Sequence, residues 1–133
     1  MKYVLDASVA VAAFRSNEPR HAACVKRLTP LLKGDDSIVV PAIFRIEVAS
    51  ALARAGFTAA QVERFAGGLL AHATEVTIGP LRARRVQVVA MATRLRAADA
   101  IYVWVAQHES LPLVTADQEI QQRASALCRL VAP

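Results

Sequence analysis

The sequence predicts an α/β fold, a three-layer α/β/α sandwich around a short central parallel sheet of about five strands. Brief apolar segments at about 2–5, 37–40, 75–78, 113–115 and 128–131 alternate with longer stretches of helical spacing. That alternation implies parallel strands covered on both faces. The 133 residues, 55% of them hydrophobic, can bury a real core, and no linker, repeat or low-complexity run divides them, so 1–133 is expected to be a single domain. Right-handed crossovers then bring the carboxyl ends of all strands to one edge, where sites assemble in such sheets.

The first strand, 2–5, runs directly into Asp6-Ala7-Ser8, and a helix starts within 9–14. Asp6 therefore stands at a strand's carboxyl end and just before a helix. A helix-cap role is the plain reading of such an acid; with Ser8 as the cap, Asp6 is free to face a metal. Asn17-Glu18-Pro19-Arg20 is a polar turn with Pro placed to begin a helix, which continues over 22–32 through Ala22, Val25 and Leu28. Gly34-Asp35-Asp36 ends it, and these adjacent acids read as solvated turn residues. The strand 37–40 is stopped by Pro41.

Residues 42–54 are helical, with Gly56 as terminator. Glu47 lies there among apolar neighbours, and a buried acid is costly unless paired or bound to metal. Neither Arg45 nor Arg54 has the spacing that best neutralises it within the helix. A Glu reaching solvent from the helix edge is the other reading. Thr58 and Gln61 form a capping box for a helix reaching about residue 72 through Val62, Phe65 and Leu69. The two helices make a hairpin around Gly56, either a subunit interface or plain core.

After the strand at 75–78, closed by Gly79-Pro80, a helix over 81–95 carries Arg82, Arg84, Arg85, Arg94 and Arg96 at its two ends and just beyond. Singly these read as a solvated surface; as a group flanking Asp99 they suit phosphate contacts that position a substrate without reading its sequence. Asp99 opens a helix that buries Ile101, Trp104 and Val105, where the helix dipole favours an anion. The strand 113–115 leads to Asp117, a helix over 118–127 and the last strand. Cap or first-turn acid is the local reading of both Asp99 and Asp117.

Cys24 and Cys128 are isolated and read as reduced, buried thiols, and His21, His72 and His108 show no metal-ligand spacing. Any metal is thus expected on oxygen ligands. No run is long enough to span a bilayer, and Asp6 interrupts any leader-like apolar stretch, so the expected compartment is the cytoplasm, with no membrane partner. The net charge is +5, from 16 basic and 11 acidic residues. If four acids are drawn into one site, seven remain against 16 bases, leaving +9 elsewhere, an acidic point in a basic field that suits a polyanionic partner.

Asp6, Glu47, Asp99 and Asp117 share one positional logic: two follow strands, and two lie in the first half of adjoining helices. Clustered carboxylates repel, and Mg²⁺ or Mn²⁺ relieves that cost. Such ions activate water and stabilise the leaving oxygen of an in-line displacement. A phosphoacceptor receiver needs adjacent acids after its first strand, and a dinucleotide fold needs a glycine-rich turn there; this chain has neither.

The segments VLDAS at 4–8, NEPRH at 17–21, IEVASAL at 46–52 and RAADAIYVWVAQHESLPLVTAD at 96–117 together resemble a PIN domain. More narrowly, the chain is similar to the small VapC-type toxins of prokaryotic toxin–antitoxin pairs. The resemblance implies that Asp6, Glu47, Asp99 and Asp117 form the metal-binding catalytic cluster, with Asp6 and Asp99 as primary ligands. Ser8 and Thr115 would support it by hydrogen bonding, and Glu119 either assists or serves as a first-turn helix acid. It further implies Mg²⁺- or Mn²⁺-dependent endoribonuclease activity, a homodimer, and a VapB-type antitoxin that wraps the helical hairpin and reaches the acids with a basic side chain. The alternative is a catalytically silent PIN module that binds RNA or a partner.

Overall fold

Three central runs of apolar residues, Tyr3-Val4-Leu5, Ile38-Val39-Val40 and Leu113-Val114, are almost wholly buried in the computed structural model, which describes residues 1–133. Burial on both faces explains why these strands read as continuous rather than alternating apolar runs. They belong to β1 (Lys2–Leu5), β2 (Ser37–Pro41) and β4 (Leu113–Val114), joined by β3 (Ala73–Val76) and β5 (Leu130–Val131) in a wholly parallel sheet of order β3-β2-β1-β4-β5.

The helices are α1 (Ala7–Phe14), α2 (His21–Lys33), α3 (Ile43–Arg54), α4 (Ala59–Leu70), α5 (Pro80–Thr93), α6 (Ala97–Glu109) and α7 (Gln118–Arg123). Helices α1 to α4 pack among themselves, while α5 packs on α6, and α6 lies along β1 and β2. The chain moves from β1 to β2 to β3 on one side and returns to β4 and β5 on the other. With right-handed crossovers the two helix groups cover opposite faces. The order reverses between β1 and β4, so the crevice at their carboxyl ends is the place where this topology forms sites.

Several boundaries differ from the sequence expectation. The third strand spans Ala73–Val76 rather than 75–78, because pairing sets Ile38 opposite Ala73 and Pro41 opposite Val76. It is an edge strand with exposed Thr74 and Glu75, so apolar content was a poor guide to its register. Helix α7 stops at Arg123 rather than 127, and residues 124–128 form turns tied to Ala124. Helix α1 starts at Ala7, which places Asp6, not Ser8, at the capping position.

Thr58 and Gln61 do form the reciprocal capping box of α4. Between α3 and α4, Gly56 adopts φ 94°, a conformation that favours glycine. The hairpin's Phe57 and Phe65 pack on Phe14 of α1 with ring centroids 4.7 and 4.5 Å away, so its aromatic side chains join the core. No helix is long and apolar enough to cross a membrane.

Candidate active site

Backbone pairing carries β1 and β4 just past their last residues, since the Asp6 N–H donates to the Val114 carbonyl at 3.0 Å. This sets Asp6 beside Thr115. Asp6 makes no side-chain capping bond to the helix that follows it. Its Oδ2 accepts instead from Ser8 Oγ at 2.6 Å and Thr115 Oγ1 at 2.7 Å. Each hydroxyl also accepts a backbone N–H, Ser8 from Ala116 at 3.2 Å and Thr115 from Asp117 at 3.0 Å. The sequence expectation of Ser8 as a cap is thereby corrected: its hydroxyl is directed to Asp6 and the turn after β4. Both side-chain bonds fall on Oδ2, so Oδ1 takes neither. Asp6 is only 4% exposed. Burial pushes its carboxyl above the ordinary range, aided by the charge of Asp117, while the hydroxyls and the Ser8 amide oppose the rise.

Glu47 projects from the second turn of α3 and accepts a 2.7 Å hydrogen bond at Oε1 from Tyr102 OH. Tyr102 lies on α6 one turn after Asp99 and is fully buried. Burial raises the Glu47 carboxyl, the phenol lowers it, and Asp6 raises it further. Asp99 is the third residue of α6 and half-buried. Its carboxyl is pushed from 3.8 up to about 7, by burial first and then by Asp6, Asp117 and Glu47, with Arg96 opposing.

Asp117 caps α7, its Oδ1 accepting from Glu119 N at 2.8 Å and Ile120 N at 3.1 Å. The cap reading therefore holds, and Oδ2 is left out of the cap. Ion pairs in the protein join Met1 to Asp36, Arg15 to Glu18, Arg45 to Glu75 and Arg123 to Glu119, so none reaches these four acids.

All four acids, with Ser8, line one cavity of about 630 Å³ at the switch point. Their oxygen-only chemistry and mutual repulsion fit a hard divalent cation. No three of them close into a ready-made ligand sphere.

None of the five arginines of 82–96 lines the cavity. Arg82 is committed to the α5–α6 wall, donating to the Thr77 carbonyl at 3.0 Å and lying 5.8 Å from the Trp104 ring centroid. Arg84, Arg85 and Arg94 are exposed, and exposed Arg96 acts on Asp99 through its charge. Glu119 pairs with Arg123 at 3.6 Å and does not line the cavity either. Arg20 does, a residue to which sequence reasoning assigned no role: the turn containing it was visible, its fold-over onto the switch point was not.

A parallel α/β sheet with clustered carboxylates at its switch point defines an acid-site α/β domain. The chain belongs to the PIN domain family, whose model matches residues 3–126. PIN domains are generally nucleases, and those nucleases generally use divalent metals. No curated protein sequence matches the chain.

Among solved structures, VapBC2 from Rickettsia felis bound to a promoter DNA fragment is similar at 15% identity and TM-score 0.69, covering 99% of this chain and 98% of that one. PAE2754 from Pyrobaculum aerophilum has 24% identity and TM-score 0.68, with 99% and 92% covered. FitAcB from Neisseria gonorrhoeae has 19% identity and TM-score 0.59, with 98% and 96% covered. At these identities the likeness is one of fold.

Proposed function

We propose that the protein is a Mg²⁺- or Mn²⁺-dependent endoribonuclease and the toxin of a toxin–antitoxin pair. The observation that carries the reading is the gathering of Asp6, Glu47, Asp99 and Asp117 around one cavity with no cationic partner in an ion pair. Bound there, divalent metal would supply an activated water and neutralise the phosphate and leaving oxygen.

The chain's own residues prepare that chemistry. Ser8 and Thr115 hold Asp6 by one oxygen. Tyr102 fixes Glu47, and the α7 amides fix Asp117 by Oδ1. Asp6, Asp117, Glu47 and Asp99 would hold the cation, each of the first three keeping one carboxylate oxygen outside these hydrogen bonds. Asp99, raised to about 7, keeps much of its proton at neutral pH until a cation takes its place.

The toxin role draws on structures of similar fold that contain toxin–antitoxin complexes, VapBC2 and FitAcB, matched over nearly their full lengths. On this reading a VapB-type antitoxin restrains the protein, which acts as a homodimer on cytoplasmic RNA.

Purified protein incubated with single-stranded RNA and Mg²⁺ is expected to cut it, and chelator, Asp6→Asn or Asp99→Asn to abolish cutting. Undiminished cleavage by both variants would overturn the site. Metal and RNA binding without turnover would leave the silent-module reading. Expression of the wild type, but not of Asp6→Asn, should arrest growth; equal arrest by both would separate toxicity from this site.

A further inference from the structure

We propose that Arg20 is a substrate contact of the acid cavity, binding a phosphate of the RNA backbone beside the carboxylates. The inference rests on the nuclease reading above and goes beyond it by assigning the cation that meets the polyanion.

Arg20 is the one basic residue lining the cavity that holds Asp6, Glu47, Asp99 and Asp117. Among so many acids an arginine would be expected to form a salt bridge, yet it pairs with none of them. Its single side-chain hydrogen bond runs from one guanidinium nitrogen to the Ala116 carbonyl at 3.0 Å. A guanidinium carries five N–H donors in a planar fork, so most remain available to a second acceptor. Ala116 lies between Thr115 and Asp117, which ties Arg20 to the same turn that anchors Asp6 and Asp117.

The loop bearing Arg20 is itself fastened. Arg15 pairs with Glu18 across it at 3.3 Å, and the ring of His21 meets the Ala12 carbonyl at 2.9 Å. The Arg20 carbonyl accepts the Cys24 N–H at 2.9 Å as α2 begins. A half-buried guanidinium held in place by a neutral carbonyl loses little freedom when it grips a phosphate. The arginines of 82–96 lie outside the cavity, so they do not meet a phosphate bound within it.

The test compares the full-length wild type with Arg20→Gln and Arg20→Lys. Binding of a labelled single-stranded RNA oligonucleotide is measured over a salt series with Ca²⁺ in place of Mg²⁺, alongside thermal melting and steady-state cleavage. Arg20→Gln should weaken binding by about tenfold or more, in keeping with a lost charge-assisted contact. It should also flatten the dependence of log affinity on log salt by about 0.7, the contribution of one phosphate on a single strand. KM should rise more than kcat falls. Arg20→Lys, which keeps the charge and loses the fork, should retain the salt slope at reduced affinity.

Wild-type affinity and slope in Arg20→Gln would overturn the proposal whatever its melting temperature. Should Arg20→Gln not fold, wild-type RNA affinity in Arg20→Lys would overturn it equally. If Asp6→Asn and Asp99→Asn still cut RNA, the nuclease site itself has failed. If those two are inactive while the Arg20 variants behave as wild type, only the Arg20 assignment has.

Discussion

Tyr102 links two of the four acids without being one. Its phenol donates to Glu47 at 2.7 Å and also faces the Ala7 backbone N–H, next to Asp6, while Asp99 lies one turn earlier on the same helix. Their hydrogen bond shifts the two ionisations in opposite directions: it favours the Glu47 carboxylate and disfavours the Tyr102 phenolate. Tyr102→Phe is expected to lower stability by about 1–3 kcal/mol, by loss of a bond to a charged acceptor, and to raise the Glu47 carboxyl further. Urea denaturation and calorimetric titration with Mg²⁺ check this; unchanged metal affinity would show that the phenol does not hold Glu47 for the cation. Glu47 was legible in the sequence because an acid among apolar neighbours demands a reason. Tyr102 was not, since an aromatic residue inside a buried helix reads as core. Asp6 was legible only by position: its bonds to Ser8 and Thr115 depend on β1 and β4 lying side by side, which local spacing does not encode.

Elements announced themselves where their signals are local. The Thr58–Gln61 box opens α4 as the sequence predicts, because both partners lie within one turn of chain. Thr58→Ala should therefore cost about 1 kcal/mol, the usual value of a lost cap, without changing RNA cleavage. A fall well beyond that in chemical denaturation would mean that the start of α4 carries tertiary load. The third strand was misplaced because an edge strand's register is set by its neighbour, here through Ile38 N donating to the His72 carbonyl at 3.0 Å. Helix α7 was drawn too long for a similar reason. Helical spacing continues past Arg123, but the turn bonds of Leu127 and Cys128 to Ala124 redirect the chain into β5.

For the whole molecule, the acid cavity stores repulsion that folding must bear. The clearest sign is Asp99, whose carboxyl is raised from 3.8 to about 7 in the folded protein, by burial first and by its acidic neighbours second. An acid raised by folding favours the native state while protonated, so its contribution is fully present below about pH 3.8 and is lost as pH climbs through about 7. In chelator, the melting temperature of the wild type relative to Asp99→Asn should therefore fall progressively across that interval. The comparison with Asn cancels groups remote from Asp99, such as Glu75, which Arg45 shifts the opposite way, while the coupled acids Asp6, Glu47 and Asp117 contribute to the difference. Excess Mg²⁺ should abolish the trend and stabilise the wild type, by about 2.7 kcal/mol when its concentration is roughly a hundred times the dissociation constant. Asp99→Asn should gain much less. Thermal melts over a pH series, with chelator and with Mg²⁺, decide the matter. A wild-type curve parallel to that of Asp99→Asn in chelator would mean that neither burial nor the neighbouring acids raise the Asp99 carboxyl, and that the fold pays nothing to hold the four acids together.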